Sequence, residues 1–261
     1  MKRAIYDLAK HPTTYDFAAW AVIARTSGIE HVHFIIDGPI AHWKYGNGRG
    51  EDIAWKRFST ILLPICRLAR LSYTVGARED GPTFSYHGGH VCELYRRLGR
   101  IEKLKPTVVS SRKSYVTITL RDSFRNTHRN SNKAAWSAFE KYLEQKGRDV
   151  MVLPEAEDAP INLEHRMAYY CSADMNLGVA QGPMALCVFS DAPYITLNQN
   201  PKDPSGQAQY DIDKLLVATG FPPGSQYGFR TPRQILVWEP DIFENIVRAW
   251  EAMQEREAVA A

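Results

Sequence analysis

No stretch of this chain of 261 residues approaches the roughly 18 to 20 consecutive apolar residues that a membrane-crossing helix needs. The opening MKRAIYDLAKHP carries a basic pair, but Asp7 interrupts its apolar patch, which leaves too little for a secretory signal. The expectation is a cytoplasmic protein. Cysteine is scarce as well. Cys66, Cys92, Cys171 and Cys187 form no CxxC pair, and each sits in an apolar or helical context that suits a reduced, buried thiol; a disulfide scaffold is excluded. A formal charge of +3 is too mild to call for nucleic acid, although it suits phosphorylated substrates and is compatible with peripheral association at the inner face of a membrane. Repeats of solenoid period and low-complexity tracts are also missing. What remains is an apolar fraction of 44% with ordinary glycine and proline content, the composition of a globular chain long enough for one large or two small domains.

The first half alternates strand-like and helix-like runs. Residues 3–8 (RAIYDL) predict a strand, Thr13 or Thr14 can cap a helix carrying Phe17, Trp20, Ala21 and Ala24, and Gly28 closes it. HVHFII, His31 to Ile36, predicts the next strand, parallel to the first through a right-handed crossover. The glycine-rich loop that follows, Asp37 to Gly50, carries Asp37 and His42 where a parallel strand ends, a common place for substrate contacts; a plain flexible connection is the alternative for Gly46 to Gly50. A helix from Glu51 to Ala69 should kink or divide at Pro64. Leu71 to Val75 predicts a third strand, and Tyr86-His87-Gly88-Gly89-His90 opens another helix. His87, His90 and Cys92 crowd one helix start without a fourth ligand, so no metal is expected. The proline-bearing, aperiodic run Leu104 to Ser114 marks a boundary between a unit at 1–105 and a second at 115–261.

The second half opens with YVTITL, Tyr115 to Leu120, the most strand-like run in the chain. Arg121 follows it directly, and the loop to Asn132 adds Arg129, Asn130 and Asn132. Arginine at the carboxyl end of a parallel strand suits a phosphate, because its planar fork donates two hydrogen bonds to one anion. Pairing with neighbours such as Asp122 is the alternative. Glu155, leaving the next strand, could accept from a ribose or sugar hydroxyl, or lie in a solvated acidic loop. The run Met167 to Leu197 reads as helix, strand, tight turn, helix and strand. Its turn, Gln181-Gly182-Pro183-Met184, places glycine where backbone comes close to something and proline at the first helical position. Amides there could meet an anion, and a well-made turn that binds nothing is the other reading. The polar segment Asn198 to Tyr210 is a candidate lid.

Taken together, the ordered set Ile118-Thr119-Leu120-Arg121-Asp122, Ala173-Asp174-Met175-Asn176-Leu177-Gly178-Val179 and Gln181-Gly182-Pro183-Met184 resembles the donor domain of GT-B glycosyltransferases, most nearly the heptosyltransferase and fucosyltransferase types. The resemblance spans roughly residues 115–198. It implies an α/β fold of two Rossmann-like domains facing a cleft, with the first domain reduced and on the acceptor side, the second binding the nucleotide-sugar, and the last helix packing back on the first. It further implies that Arg121, Arg129 and the Gln181, Gly182, Pro183, Met184 turn hold the donor phosphates, with Glu155, Asn130 and Asn132 toward the nucleoside and sugar. The implied activity is metal-independent transfer of a sugar to a glycan or lipid-linked acceptor in bacterial surface polysaccharide synthesis, with the nucleotide-sugar as substrate and no cofactor. No motif for the catalytic base is evident; position favours Asp37, then His42 and Asp7. Two other readings stay open: an epimerase or hydrolase of sugar nucleotides, and a non-catalytic subunit that binds them.

Overall fold

The computed structural model describes residues 1–37, 50–123, 127–155, 161–202 and 205–260. The first half builds β1 (Arg3–Asp7), α1 (Phe17–Thr26), β2 (His31–Ile35), α2 (Gly50–Arg57), α3 (Leu63–Leu68), β3 (Ser72–Gly76) and α4 (Gly88–Leu98). Its three strands pair in parallel in the order β1-β2-β3, with Ala4 opposite Val32 and Val32 opposite Tyr73. Helix α1 is apolar on every side and buried from Phe17 to Ala24, because α3 and α4 pack on the faces that the sheet leaves open. Pro64 divides the long helix as anticipated, by widening it: a π-helical turn, Phe58–Leu62, joins α2 to α3. Proline has no amide to offer the carbonyl four residues back, and its ring would clash there, so the turn just upstream takes up the misfit.

The second half contains β4 (Tyr115–Arg121), α5 (Lys133–Gln145), β5 (Asp149–Glu155), α6 (Leu163–Ser172), β6 (Met175–Val179), α7 (Ala185–Val188), β7 (Tyr194–Leu197), α8 (Ile212–Thr219), β8 (Gln234–Leu236) and α9 (Phe243–Ala260). All pairs are parallel in the order β5-β4-β6-β7-β8. This is an α/β architecture of two parallel sheets, three strands before residue 104 and five after it. Buried Asn176 knits the centre of the second sheet. It accepts from Thr117 Oγ1 at 2.6 Å and donates to the carbonyls of Tyr170 and Pro193 at 2.9 and 2.7 Å, so its burial leaves no polar atom wanting. The C-terminal helix has its buried Ile246, Trp250 and Met253 in the second sheet's core beside Trp136 and Phe139.

The two halves also share a core. Trp20, Phe34 and Leu62 of the first belong to one apolar cluster with Met167, Leu186 and Tyr194 of the second. Polar ties reinforce it: Arg67 grips Glu164 at 2.8 and 3.0 Å, and the Leu104 amide donates to the Phe189 carbonyl at 2.8 Å. Helices α4 and α8 meet backbone to backbone. A Cβ added at Gly89 would fall 2.4 Å from the Val217 carbonyl oxygen, and one at Gly88 2.7 Å from that of Ala218. Gly220, in the left-handed conformation that ends α8, lies in the same contact; there a Cβ would sit 2.8 Å from that of Cys92.

Candidate active site

Strands that end on one side of a parallel sheet deliver their loops to that side, and both sheets do so here. At the first, β1 closes on Asp7, whose buried carboxylate accepts the Ala9 amide at 3.0 Å and lies 3.3 Å from the Arg78 guanidinium. Asp37, just beyond β2, accepts the Arg78 backbone amide at 2.6 Å. Both carboxylates therefore tie the 77–86 segment to the strand ends. His42 lies outside the described residues.

The chain then supplies a carboxylate that the sequence reading passed over. From β1 the loop is fixed by Tyr6, whose hydroxyl donates to the Pro12 carbonyl at 2.6 Å, and it delivers Asp16 to the residue before α1. An aspartate there ordinarily caps the helix. Asp16 makes no capping hydrogen bond; its Oδ2 accepts from Thr14 Oγ1 at 2.8 Å. The carboxylate stays accessible although protein surrounds it on most sides. That crowding raises its pKa above the ordinary carboxylate value, and the Thr14 hydroxyl and the charges of His87 and Arg129 pull it part of the way back. His87 precedes α4; burial lowers its pKa, and the nearby Asp16 opposes the shift.

From the second sheet, Arg129 arrives on a short 3-10 helix after β4, and its Nη2 donates to the Ala180 carbonyl at 3.3 Å. Arg121 is the last residue of β4, half-buried and in register with Glu155 at the end of β5. Asn130 and Asn132 turn out to serve the backbone. Asn130 bridges the amide and carbonyl of Ser123 at 3.0 and 2.8 Å, and Asn132 caps α5 by accepting the Ala135 amide at 3.2 Å. Short amide side chains beside a turn find local backbone partners readily, and these are the partners the two side chains have here.

Gly182 to Met184 form a 3-10 turn with Gln181 before it; the Met184 amide donates to Gln181 O at 3.2 Å, Pro183 has no amide, and the Ala180 amide just upstream donates to Leu197 O at 2.9 Å. Helix α7 beyond it has four residues, so its dipole is small. Gly182 does answer to close approach: a Cβ there would lie 2.4 Å from the Tyr15 ring. After β7 the Asn198 to Tyr210 segment is closed at its base by Asn200, which donates to the Tyr210 carbonyl and accepts its amide, each at 3.0 Å.

These pieces enclose a cavity of about 170 Å³ between the halves. Tyr15, Asp16 and Tyr86 line it from the first half; Gln181, Met184 and Thr196 face them from the second, with Gln199 and Tyr227 beside them. Of the residues that the sequence singled out, Gln181 and Met184 line this cavity and Arg129 lies at its edge by way of the Ala180 carbonyl. Asp37 is not among its lining residues. Among the described residues, no three of His, Cys, Asp and Glu converge as metal ligands would, and no helix is long and apolar enough to cross a membrane.

The architecture is one that glycosyltransferases use. No protein-family signature and no curated protein sequence matches the chain. Among solved structures it is similar to the iron-containing dodecameric glycosyltransferase TibC of enterotoxigenic E. coli H10407, with a TM-score of 0.50 and 10% identity over 98% of this chain and 76% of that one. The E. coli heptosyltransferase WaaC, solved with ADP-2-deoxy-2-fluoro heptose, aligns over 98% of this chain and 99% of its own at 12% identity and a TM-score of 0.47.

Proposed function

We propose that the chain is a glycosyltransferase that moves a sugar from a nucleotide-sugar donor to the hydroxyl of a glycan or lipid-linked acceptor. The observation that carries the reading is Asp16, from the first half, on the wall of the cavity, with Arg129, from the second half, bonded to the Ala180 carbonyl of that wall and near enough for its charge to act on Asp16. In transfer, the acceptor oxygen bonds to the anomeric carbon while the bond from that carbon to the diphosphate breaks and its electron pair leaves with the phosphate. Asp16, its basicity raised by the protein crowded around it, takes the proton from the acceptor hydroxyl. Arg129, with Arg121 on the neighbouring strand end, offsets the charge that develops on the departing diphosphate. These roles require nothing of Asp37, whose carboxylate is engaged with the Arg78 amide. The fold shared with TibC supports the class of reaction.

The test is a thermal-shift screen against nucleoside diphosphates and their sugar conjugates, because a ligand at about 100 times its dissociation constant stabilises the native state by roughly 2.7 kcal/mol. A selective shift with one nucleotide is the expected result, and Asp16→Asn should keep that shift while losing turnover. Well-folded protein that responds to none of them would refute the reading.

A further inference from the structure

A second cavity, of about 410 Å³, lies at the other end of the sheets. Its lining residues all stand where the chain is about to enter a strand. Arg70 precedes β3, the run Leu104 to Pro106 leads toward β4, Cys171 is near the end of α6 ahead of β6, and Asp191 and Ala192 precede β7. The candidate active site is built instead on loops that leave the carboxyl ends of strands, and the two cavities share no lining residue. The volume falls within the range of about 300 to 1,000 Å³ that small-molecule sites occupy. The wall between the halves is pinned by its backbone. The Lys105 amide donates to the Leu68 carbonyl of the first half at 2.9 Å, and the Leu104 amide, as described above, to the Phe189 carbonyl of the second.

Charge on this wall is out of balance. Neither the Arg70 guanidinium nor the Lys105 ammonium has a hydrogen-bond or ion-pair partner among the described residues. The wall's carboxylate, Asp191, is held by Lys103 at 2.9 Å and so offers them nothing. Arg70 also occupies a backbone position that glycine fills with least strain. It ends α3 at φ +55°, with the Leu71 amide reaching back to the Cys66 carbonyl at 2.8 Å, the usual place of a helix-closing glycine. Beside the two cations, Leu104, Pro106 and Ala192 give the cavity apolar surface. Two unspent positive charges next to an apolar wall match a doubly charged anion carried on a compact apolar body. A phosphate monoester meets that description near pH 7 and has three oxygens for the guanidinium and the ammonium to share, whereas a carboxylate brings one charge. We propose that this cavity is a second ligand site, which takes a small phosphate monoester with its phosphate between Arg70 and Lys105 and its organic part on Leu104, Pro106 and Ala192. Its occupant touches both halves of the chain, and the site owes nothing to the transferase reading.

Cys171 provides a local reporter. It is half-buried on the cavity wall, while Cys66, Cys92 and Cys187 are buried, and burial raises its thiol to about 11, so its alkylation by neutral iodoacetamide is slow enough to time by mass spectrometry. The probes are phenyl phosphate, inorganic phosphate and benzoate at millimolar concentration. Phenyl phosphate should slow the alkylation of Cys171 saturably, and more than either of the other two. In Arg70→Gly the concentration that halves the rate should rise about tenfold or more, the factor that one charged hydrogen bond carries. Glycine suits the left-handed backbone, so this variant should melt no lower than the parent, which separates lost binding from lost fold. Lys105→Gln should weaken protection in the same direction. No protection by phenyl phosphate, or equal protection in Arg70→Gly, overturns the site; equal protection by benzoate or by inorganic phosphate overturns its assignment to a phosphate ester. None of the probes contains a nucleoside, so these outcomes are read independently of the nucleotide screen.

Discussion

Replacing Gly182 with alanine places a methyl group where the Tyr15 ring already is. The new Cβ would lie 2.4 Å from Tyr15 Cδ2 and 3.0 Å from Cγ. Carbon atoms in comfortable contact rest about 3.5 to 4.0 Å apart, so the ring must retreat by about 1 Å. The backbone at Gly182 is outside the left-handed region, and the cost is therefore steric alone. Overpacking of this kind costs about 1 to 3 kcal/mol, and alanine returns about 0.4 to 1 kcal/mol by restricting the unfolded chain. The net loss is about 0.5 to 2 kcal/mol, which lowers the melting temperature by a few degrees in a chain of this size. Activity should fall further than stability, because Asp16 follows Tyr15 directly and a displacement near 1 Å can cost about a hundredfold in rate. The assay is a double-mutant cycle. In a Tyr15→Ala background the clash is gone, and Gly182→Ala should become neutral or stabilising in denaturant unfolding. An equal loss in both backgrounds would refute the argument and make the glycine a requirement of the turn itself.

Four other outcomes follow from the same structure. Asp16→Asn should abolish nucleotide-sugar turnover while binding persists; in the unaltered enzyme kcat should decline on the acid side at a pH above that of an ordinary aspartate, since the base must be ionised and its pKa is raised. Arg129→Ala should weaken nucleoside diphosphate binding by about 1.5 to 3 kcal/mol, measurable by titration calorimetry, and unchanged affinity would remove it from the site. Thr196→Val should raise stability by about 1 kcal/mol in urea unfolding, because it removes a buried hydroxyl with no partner in the protein. Burial lowers the pKa of His11 from its ordinary value of about 6.5, so the folded state binds fewer protons than the unfolded one. The stability it contributes is present above that pH and lost as pH falls through the lowered value, and His11→Gln should flatten this acid dependence.

Local pattern was enough wherever one segment settles its own conformation. Lys133 to Gln145 forms a helix over the predicted span, and β-branched YVTITL forms an interior strand of the second sheet. Gly-Pro was correctly read as a turn under close approach, but only tertiary structure shows that the approaching group is the Tyr15 ring, some 170 positions away in sequence. Asp16 went unnoticed because an aspartate before an apolar helix is the commonest of capping signals, and nothing local says that its carboxylate turns toward Thr14 and a cleft instead. Asn130 and Asn132 were read from residue type as ligand contacts, and only the fold shows that Asn130 bridges the Ser123 backbone and that Asn132 caps α5. Thr196 could not have been found at all, since an unsatisfied hydroxyl exists only once the fold surrounds it.

The glycine contact between α4 and α8 bears on how the two halves are held together. Helices that meet through bare backbone can neither slide nor part without losing the whole contact, and here it is reinforced by Cys92 Sγ donating to the Thr219 carbonyl at 3.1 Å and Arg96 donating to that of Gly220 at 3.1 Å. The two halves are therefore joined by a contact that resists sliding, and under the proposed transfer little binding energy would go into closing one half upon the other. On that reading, passage through the mouth of the cleft would govern turnover, and raised solvent viscosity should slow it.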